Sequence, residues 1–251
     1  VRLLLLSNST NYGEKYMQWC ESTIAFFLGE STDNLIFIPY AAVGFSYDTY
    51  TAKVNQALAH HSIRVKGIHS FENKAEAIEN ASAILVGGGN TFNLLKMLQE
   101  HKLDTIIQRV VKKGTPYVGW SAGSNIASPS ICTTNDMPIV EPRSFKALNL
   151  VSYQINPHYT EATIINHGGE TRKQRLAEYL AANPEDKVVC LPESSYLLIV
   201  DKTHTYIGDT AGLNMTAQNS NEIQPESVLT FMMNNNYTSF SDKRKCCIIV
   251  S

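Results

Sequence analysis

Five residues in the middle of the chain, Gly119-Trp120-Ser121-Ala122-Gly123, form a G-x-S-x-G pattern. A serine set this way becomes a nucleophile when a strand runs into it and a helix runs out, because the sharp turn holds its hydroxyl clear. The flanks suit that chemistry. Thr115 to Trp120 reads as a short buried strand that begins at Pro116, and Ala122 to Ala127 as the first turns of a helix. Glycines allow the tight turn and the close approach of a second segment. N–H groups left free at the helix start, that of Ala122 among them, would point at charge developing beside Ser121. Three fixed residues recur by chance in roughly one chain in ten of this length. On the pattern alone, a serine that merely caps a helix fits equally well.

A nucleophilic serine needs a base to take its proton and return it to the leaving group. His158 follows the strand-like run Val151 to Asn156, a position that His60, His61, His69, His101 and His204 do not share. A third group, an acid, would fix the imidazole tautomer. Two compete. Asp136 lies in the irregular segment SPSICTTNDMPIVEPRSF, whereas Glu193 follows the strand-like run Lys187 to Leu191. A strand end is the more rigid platform and favours Glu193. Asp136 would then hold substrate, for example a peptide's free amine, with Asn135 beside it.

The run GGGNT, Gly87 to Thr91, lies between a strand and a helix through Phe92, Leu95 and Leu98. It is neither a dinucleotide fingerprint, since Phe92 stands where the third glycine belongs, nor a Walker A loop. Its exposed N–H groups, from Gly88 and Gly89, can join Ala122 in an oxyanion hole. Asn90 is a candidate for substrate binding and, with Thr91, for the helix cap. Arg172 falls in the first turn of a helix from about Thr171 to Ala182, where the dipole disfavours a cation and Glu170 is better suited. Its planar fork matches a carboxylate. No H-E-x-x-H motif or metal-ligand spacing is present, so neither metal nor cofactor is expected.

These residues need a frame that brings them to one edge. Leu3 to Leu6, Leu35 to Pro39, Ile63 to Ile68 and Ala83 to Val86 are short apolar runs suited to strands covered on both faces. They alternate with helical patterns from about Glu14 to Leu28 and Tyr47 to His60. That alternation implies an α/β fold, a mostly parallel sheet between two helical layers, with ligands at the carboxyl ends of the strands. Later runs, Tyr196 to Val200 and His204 to Ile207, read as a hairpin. A single domain is expected over 1–236, with the basic tail at 237–251 frayed. The tail's Cys247 misses a C-a-a-X signal by one position.

With 251 residues and 43% hydrophobic content, the chain can bury one large core. A net charge of −2 offers no long-range pull toward nucleic acid or anionic membranes. The five cysteines include no C-x-x-C pair and read as reduced thiols of a cytoplasmic protein. No signal peptide or membrane span is expected, and Val1 stands where an initiator methionine is absent.

Seven ordered blocks, LLLLSNST, VGGGNTF, GWSAGSN, TTNDMPIV, QINPHYT, GGETRKQR and LPES, resemble the peptidase E, or α-aspartyl dipeptidase, family over roughly Arg2 to Gly208. The resemblance implies a serine peptidase on a flavodoxin-like fold related to class I glutamine amidotransferases, cleaving dipeptides that begin with aspartate. It carries the family nucleophile onto Ser121 and the histidine onto His158. The third member has been placed at both the Asp136 and Glu193 positions, so that choice stays open. The expected partner is a small peptide, and the protein a monomer or homodimer. Alternatives are a cyanophycinase-like hydrolase, an esterase, or a non-catalytic small-molecule binder.

Overall fold

β1 (Arg2–Leu6) buries four consecutive leucines completely, yet they belong to two different cores. Side chains alternate across a strand, so Leu3 and Leu5 enter one core while Leu4 and Leu6 enter the other. The same division repeats in β2 (Leu35–Ile38), β4 (Ala83–Val86) and β5 (Tyr117–Trp120). Continuous apolar runs are therefore what a sheet covered on both faces requires. On one face pack α1 (Glu21–Leu28) and α2 (Tyr47–Leu58). On the other lie α3 (Lys74–Glu79), α4 (Thr91–Glu100), α5 (Asp104–Lys112) and the four-residue α6 (Ala122–Asn125).

The computed structural model describes residues 1–29, 33–163 and 168–229. The tail at 237–251, with Cys246 and Cys247, lies outside the described residues. Among them, the main sheet has the order β12-β9-β8-β1-β5-β4-β2-β3, where β3 is Val65–Gly67, β8 Ser195–Val200, β9 Thr203–Gly208 and β12 Ser227–Val228. β1, β5, β4, β2 and β3 pair in parallel, while β8, β9 and β12 add an antiparallel flank to β1. β6 (Gln154–Asn156) and β7 (Val188–Cys190) pair in parallel within a second sheet completed by β10 (Gly212–Met215) and β11 (Ser220–Ile223). Ile155, Val189 and Leu191 join the core on the α4 face. α7 (Arg172–Ala182) links β6 to β7 and packs Leu176 and Leu180 on that sheet.

Three expectations change. The strands before His158 and Glu193 belong to this second sheet rather than to the main one, because β8 already occupies the free edge of β1. The helix expected from Glu14 begins at Glu21. Met17 has φ 62°, which a right-handed helix cannot pass through, and its N–H donates to the Ser9 carbonyl instead. The strand read to Ile68 stops at Gly67, where Ile68 opens a 3-10 turn. No helix among the described residues is long and apolar enough to cross a membrane.

Candidate active site

Ser121 sits at the junction of β5 and α6 with φ 53° and ψ −114°. A non-glycine residue there carries strain of order 1–3 kcal/mol and persists only where its surroundings over-determine it. They do so here. The Ser121 N–H donates to the Leu6 carbonyl at 3.1 Å, and its carbonyl accepts from the N–H groups of Ser124 and Asn125, each at 2.9 Å. Gly123 permits the turn to press against β4: a Cβ on it would lie 2.1 Å from the Val86 carbonyl oxygen. Buried Ser124 bolts the turn down, its hydroxyl reaching the Leu6 and Gly119 carbonyls at 2.6 and 2.9 Å.

His158 lies just past β6, also with positive φ, 53°. Its Nε2 is 2.8 Å from Ser121 Oγ, and its Nδ1 is 3.0 Å from Glu193 Oε1. Hydroxyl, imidazole and carboxylate thus form one continuous hydrogen-bonded chain. With Nδ1–H donated to Glu193, Nε2 is left as the acceptor of the serine proton. The SNST loop after β1 fastens both partners. Buried Ser7 accepts the His158 backbone N–H at 2.9 Å and donates its hydroxyl to the Leu191 carbonyl at 2.8 Å. Asn8 Oδ1 accepts the Ser194 N–H at 3.0 Å.

The approach to His158 is also built from side chains. Among the described residues, β6 has a neighbour strand only on one edge. Along the other, Ser128 Oγ accepts the Ile155 N–H at 2.9 Å, and Asn125 and Thr133 donate to the Ile155 carbonyl at 2.7 and 3.0 Å. Asn156 Nδ2 donates to the Thr133 carbonyl and to Asn135 Oδ1, both at 2.8 Å. Asn135 in turn donates to the Pro157 carbonyl at 2.8 Å. The long irregular segment is therefore a stand-in for a strand. Asn125, Ser128, Thr133 and Asn156 were not singled out from sequence: the segment after α6 reads as irregular, and nothing in it marks which Ser, Thr or Asn reaches β6.

Asp136 does not meet His158. Its Oδ2 accepts the Thr91 N–H at 2.7 Å, the Thr91 hydroxyl at 2.6 Å and the Thr134 hydroxyl at 3.2 Å, which places its charge at the N-terminus of α4. Asn90 caps the same helix by accepting the Asn93 N–H at 3.0 Å, and its amide donates to the Met137 carbonyl at 2.9 Å. The side chains of Asn90 and Asn135 each donate and accept one hydrogen bond within the protein, which fixes both beside the site.

Gly88 lies directly against Ser121: a Cβ there would be 2.9 Å from Ser121 Cβ. Among the described residues, no group accepts the N–H of Gly88, Gly89 or Ala122. The N–H groups of Ala122, next to Ser121 in the chain, and of Gly88, against it in space, can receive an oxyanion, and that of Gly89 follows in the same loop. Arg172 heads α7 behind Thr171, which forms a capping box with Gln174. Its guanidinium turns back to donate to the His158 carbonyl at 3.0 Å. Burial, then the nearby charge of Arg175, lowers its pKa, yet no described carboxylate pairs with it. It lines a cleft of about 490 Å³ with Asp136, Thr133, Thr160, Arg175 and Tyr179. Ser121 and His158 are not among the walls, so the cleft lies on the Arg172 side of His158.

Residues 3–207 match the model of "Peptidase family S51". A peptidase E of Nostoc sp. (strain PCC 7120) is 49% identical over 233 residues, covering 92% of this chain and 96% of that protein. A peptidase E of Escherichia coli O6:K15:H31 is 48% identical over 208 residues, 83% of this chain and 90% of its own length. Among solved structures, a peptidase from an acI-B1 actinobacterium superposes with TM-score 0.68 at 15% identity, covering 92% of this chain and 96% of that one. A protein of Listeria monocytogenes EGD-e described as a candidate peptidase E gives TM-score 0.63 at 23% identity, covering 83% and 98%. The last two carry the fold, the first two the kinship. By the extent of the family match and of the identity, the chain belongs to peptidase family S51, a family of serine dipeptidases.

Proposed function

We propose that the protein hydrolyses dipeptides with an N-terminal aspartate through an acyl-enzyme on Ser121. The observation that carries this reading is the unbroken chain from Ser121 Oγ to His158 Nε2, at 2.8 Å, and from His158 Nδ1 to Glu193, at 3.0 Å. His158 takes the hydroxyl proton as Ser121 Oγ bonds to the scissile carbonyl carbon. Glu193 stabilises the imidazolium, and the N–H groups of Gly88, Gly89 and Ala122 receive the oxyanion. Collapse of the tetrahedral adduct breaks the C–N bond, and His158 gives its proton to the departing amine. Water, deprotonated by His158, then attacks the ester and releases aspartate and free serine.

Arg172 supplies the selectivity in this reading. A half-buried cation without a described anionic partner suits the side-chain carboxylate of an aspartyl residue. The three described cysteines, Cys20, Cys132 and Cys190, are free, which suits a reducing compartment such as the cytoplasm. One profiling experiment tests the proposal. Purified protein, wild type beside Ser121→Ala, is offered Asp-Leu, its β-linked isomer and a p-nitrophenyl ester. Turnover of Asp-Leu alone, abolished by the substitution, supports it; preference for the β-linked peptide or the ester would replace it with another hydrolase.

A further inference from the structure

We propose that Tyr50, on α2, is a positioning residue of the reaction: its hydroxyl fixes the Gly88–Gly89 peptide so that the Gly89 N–H faces the oxyanion. The inference rests on the oxyanion assignment just made. The Tyr50 hydroxyl donates to the Gly88 carbonyl at 3.0 Å. A trans peptide is planar, so its carbonyl and its N–H point in opposite directions. Anchoring the Gly88 oxygen on the helix side therefore turns the N–H of Gly89, an exposed residue, the other way.

The direction of the Tyr50 proton is itself set. Trp120 Nε1, which can only donate, reaches the Tyr50 hydroxyl oxygen at 3.1 Å. The Gly88 carbonyl can only accept, so the hydroxyl's own proton goes to it. Burial raises the phenol above its ordinary value, so it remains a donor at working pH. Trp120 immediately precedes Ser121, and one relay thus joins the nucleophile turn to the glycine loop. Tyr50 is held rigidly, edge-on to Phe37 at 4.9 Å and to Phe45 at 5.3 Å.

The loop is shaped for this contact. A Cβ on Gly87 would fall 2.8 Å from both Cε1 and the hydroxyl of Tyr50. Gly89, at φ 134°, brings its Cα against the Ala41 carbonyl, where a Cβ would sit 2.3 Å from the oxygen. That carbonyl also accepts the Asn90 N–H at 2.8 Å. Each glycine of the run therefore answers a different neighbour: Gly87 the Tyr50 ring, Gly88 the serine, Gly89 the Ala41 turn.

Tyr50→Phe keeps the ring and removes the hydroxyl. It is measured with Asp-Leu and with the boronic acid analogue of aspartate. The boron bonds to Ser121 Oγ, the serine proton passes to His158, and a tetrahedral anion then occupies the oxyanion position. We expect kcat to fall about tenfold, less than the ~10²–10³ for loss of a donor itself. KM should stay within about twofold, boronate affinity should weaken by the same factor as kcat, and the kcat–pH profile should keep its shape. Gly87→Ala, which pushes the ring away with the hydroxyl intact, should reproduce the pattern and decides the matter if Tyr50→Phe does not fold. Folded variants with unchanged kcat and boronate affinity, or with a kcat loss that the boronate does not share, would overturn the proposal. Failure of the wild type to bind the boronate, or persistence of activity in Ser121→Ala, would instead remove the oxyanion assignment beneath it.

Discussion

The Glu193 side chain is 53% exposed and that of His158 38%, so water screens this pair more than it screens a triad acid buried beneath its histidine. Glu193→Gln should therefore lower kcat by about 10²-fold, short of the ~10⁴ seen for a buried acid. Asp136→Asn should leave kcat close to wild type and cost about 1–2 kcal/mol of stability, since it removes the charge accepted by two donors of Thr91 at the head of α4 and by the Thr134 hydroxyl. Steady-state kinetics and urea unfolding of the two variants separate these roles, and the reverse pattern would make Asp136 the triad acid. Arg172 has a double position. Because it also holds the His158 carbonyl, Arg172→Ala should raise KM for Asp-Leu by roughly 10–10²-fold and lower kcat on a neutral dipeptide as well. A KM effect alone would leave Arg172 with carboxylate recognition only. Ser121 and His158 were legible as a pair because each follows a strand-like run, whereas sequence favoured Glu193 over Asp136 without deciding between them. Asn90 and Asn135 are seen tying loops together, a role that composition does not separate from ligand binding.

At the scale of elements, two sheets must be held in register for the site to exist. Ser7 does much of this, joining the end of β1 to the ends of both β6 and β7. Ser7→Ala leaves the His158 N–H and the Leu191 carbonyl without that partner. It should cost about 1–3 kcal/mol and lower kcat, with KM affected less. Unfolding midpoints beside kinetics check both halves of that statement. Farther off, the His204 imidazole on β9 contacts the Tyr153 hydroxyl at 2.9 Å, and burial lowers its pKa. A ring held neutral in the fold protonates first in the unfolded chain. Its contribution is thus complete above about pH 6.5 and is lost as pH falls toward the folded value. Replacing His204 by Gln should flatten the fall in urea midpoint between about pH 7.5 and pH 5.5. An unchanged slope would assign the acid sensitivity to other groups. The parallel strands were legible because continuous apolar runs alternate with helical ones. The second sheet was not, since nothing in the composition of β6 or β7 states which edge each will find.

For the molecule as a whole, Cys20 is completely buried in the α1–α2 core and Cys190 in the cluster between α7 and the second sheet, while Cys132 is exposed at the cleft. Burial pushes the Cys20 thiol up to about 12 and raises Cys190 as well, so neither offers a thiolate in the native state. A thiol reagent should modify Cys132 promptly and the other two only at the rate of global opening, as peptide mapping over a urea series would show. Early labelling of Cys190 would mean that the second sheet opens independently of the main core. The overall architecture was readable because the hydrophobic period is strong over most of the chain. The site is more demanding: four chain segments meet there, and the side chains that join them are ordinary Ser, Thr and Asn.

On the proposed reading the chemistry is covalent at Ser121, driven by His158 and Glu193. Rapid quenching of the enzyme during turnover of an aspartyl ester, followed by intact-mass and peptide mapping, tests it most directly. One added aspartyl group on the Ser121 peptide is predicted, absent from Ser121→Ala and His158→Ala and formed more slowly in Glu193→Gln. An aspartyl adduct on another residue, or full-rate turnover of Asp-Leu by Ser121→Ala, would contradict it.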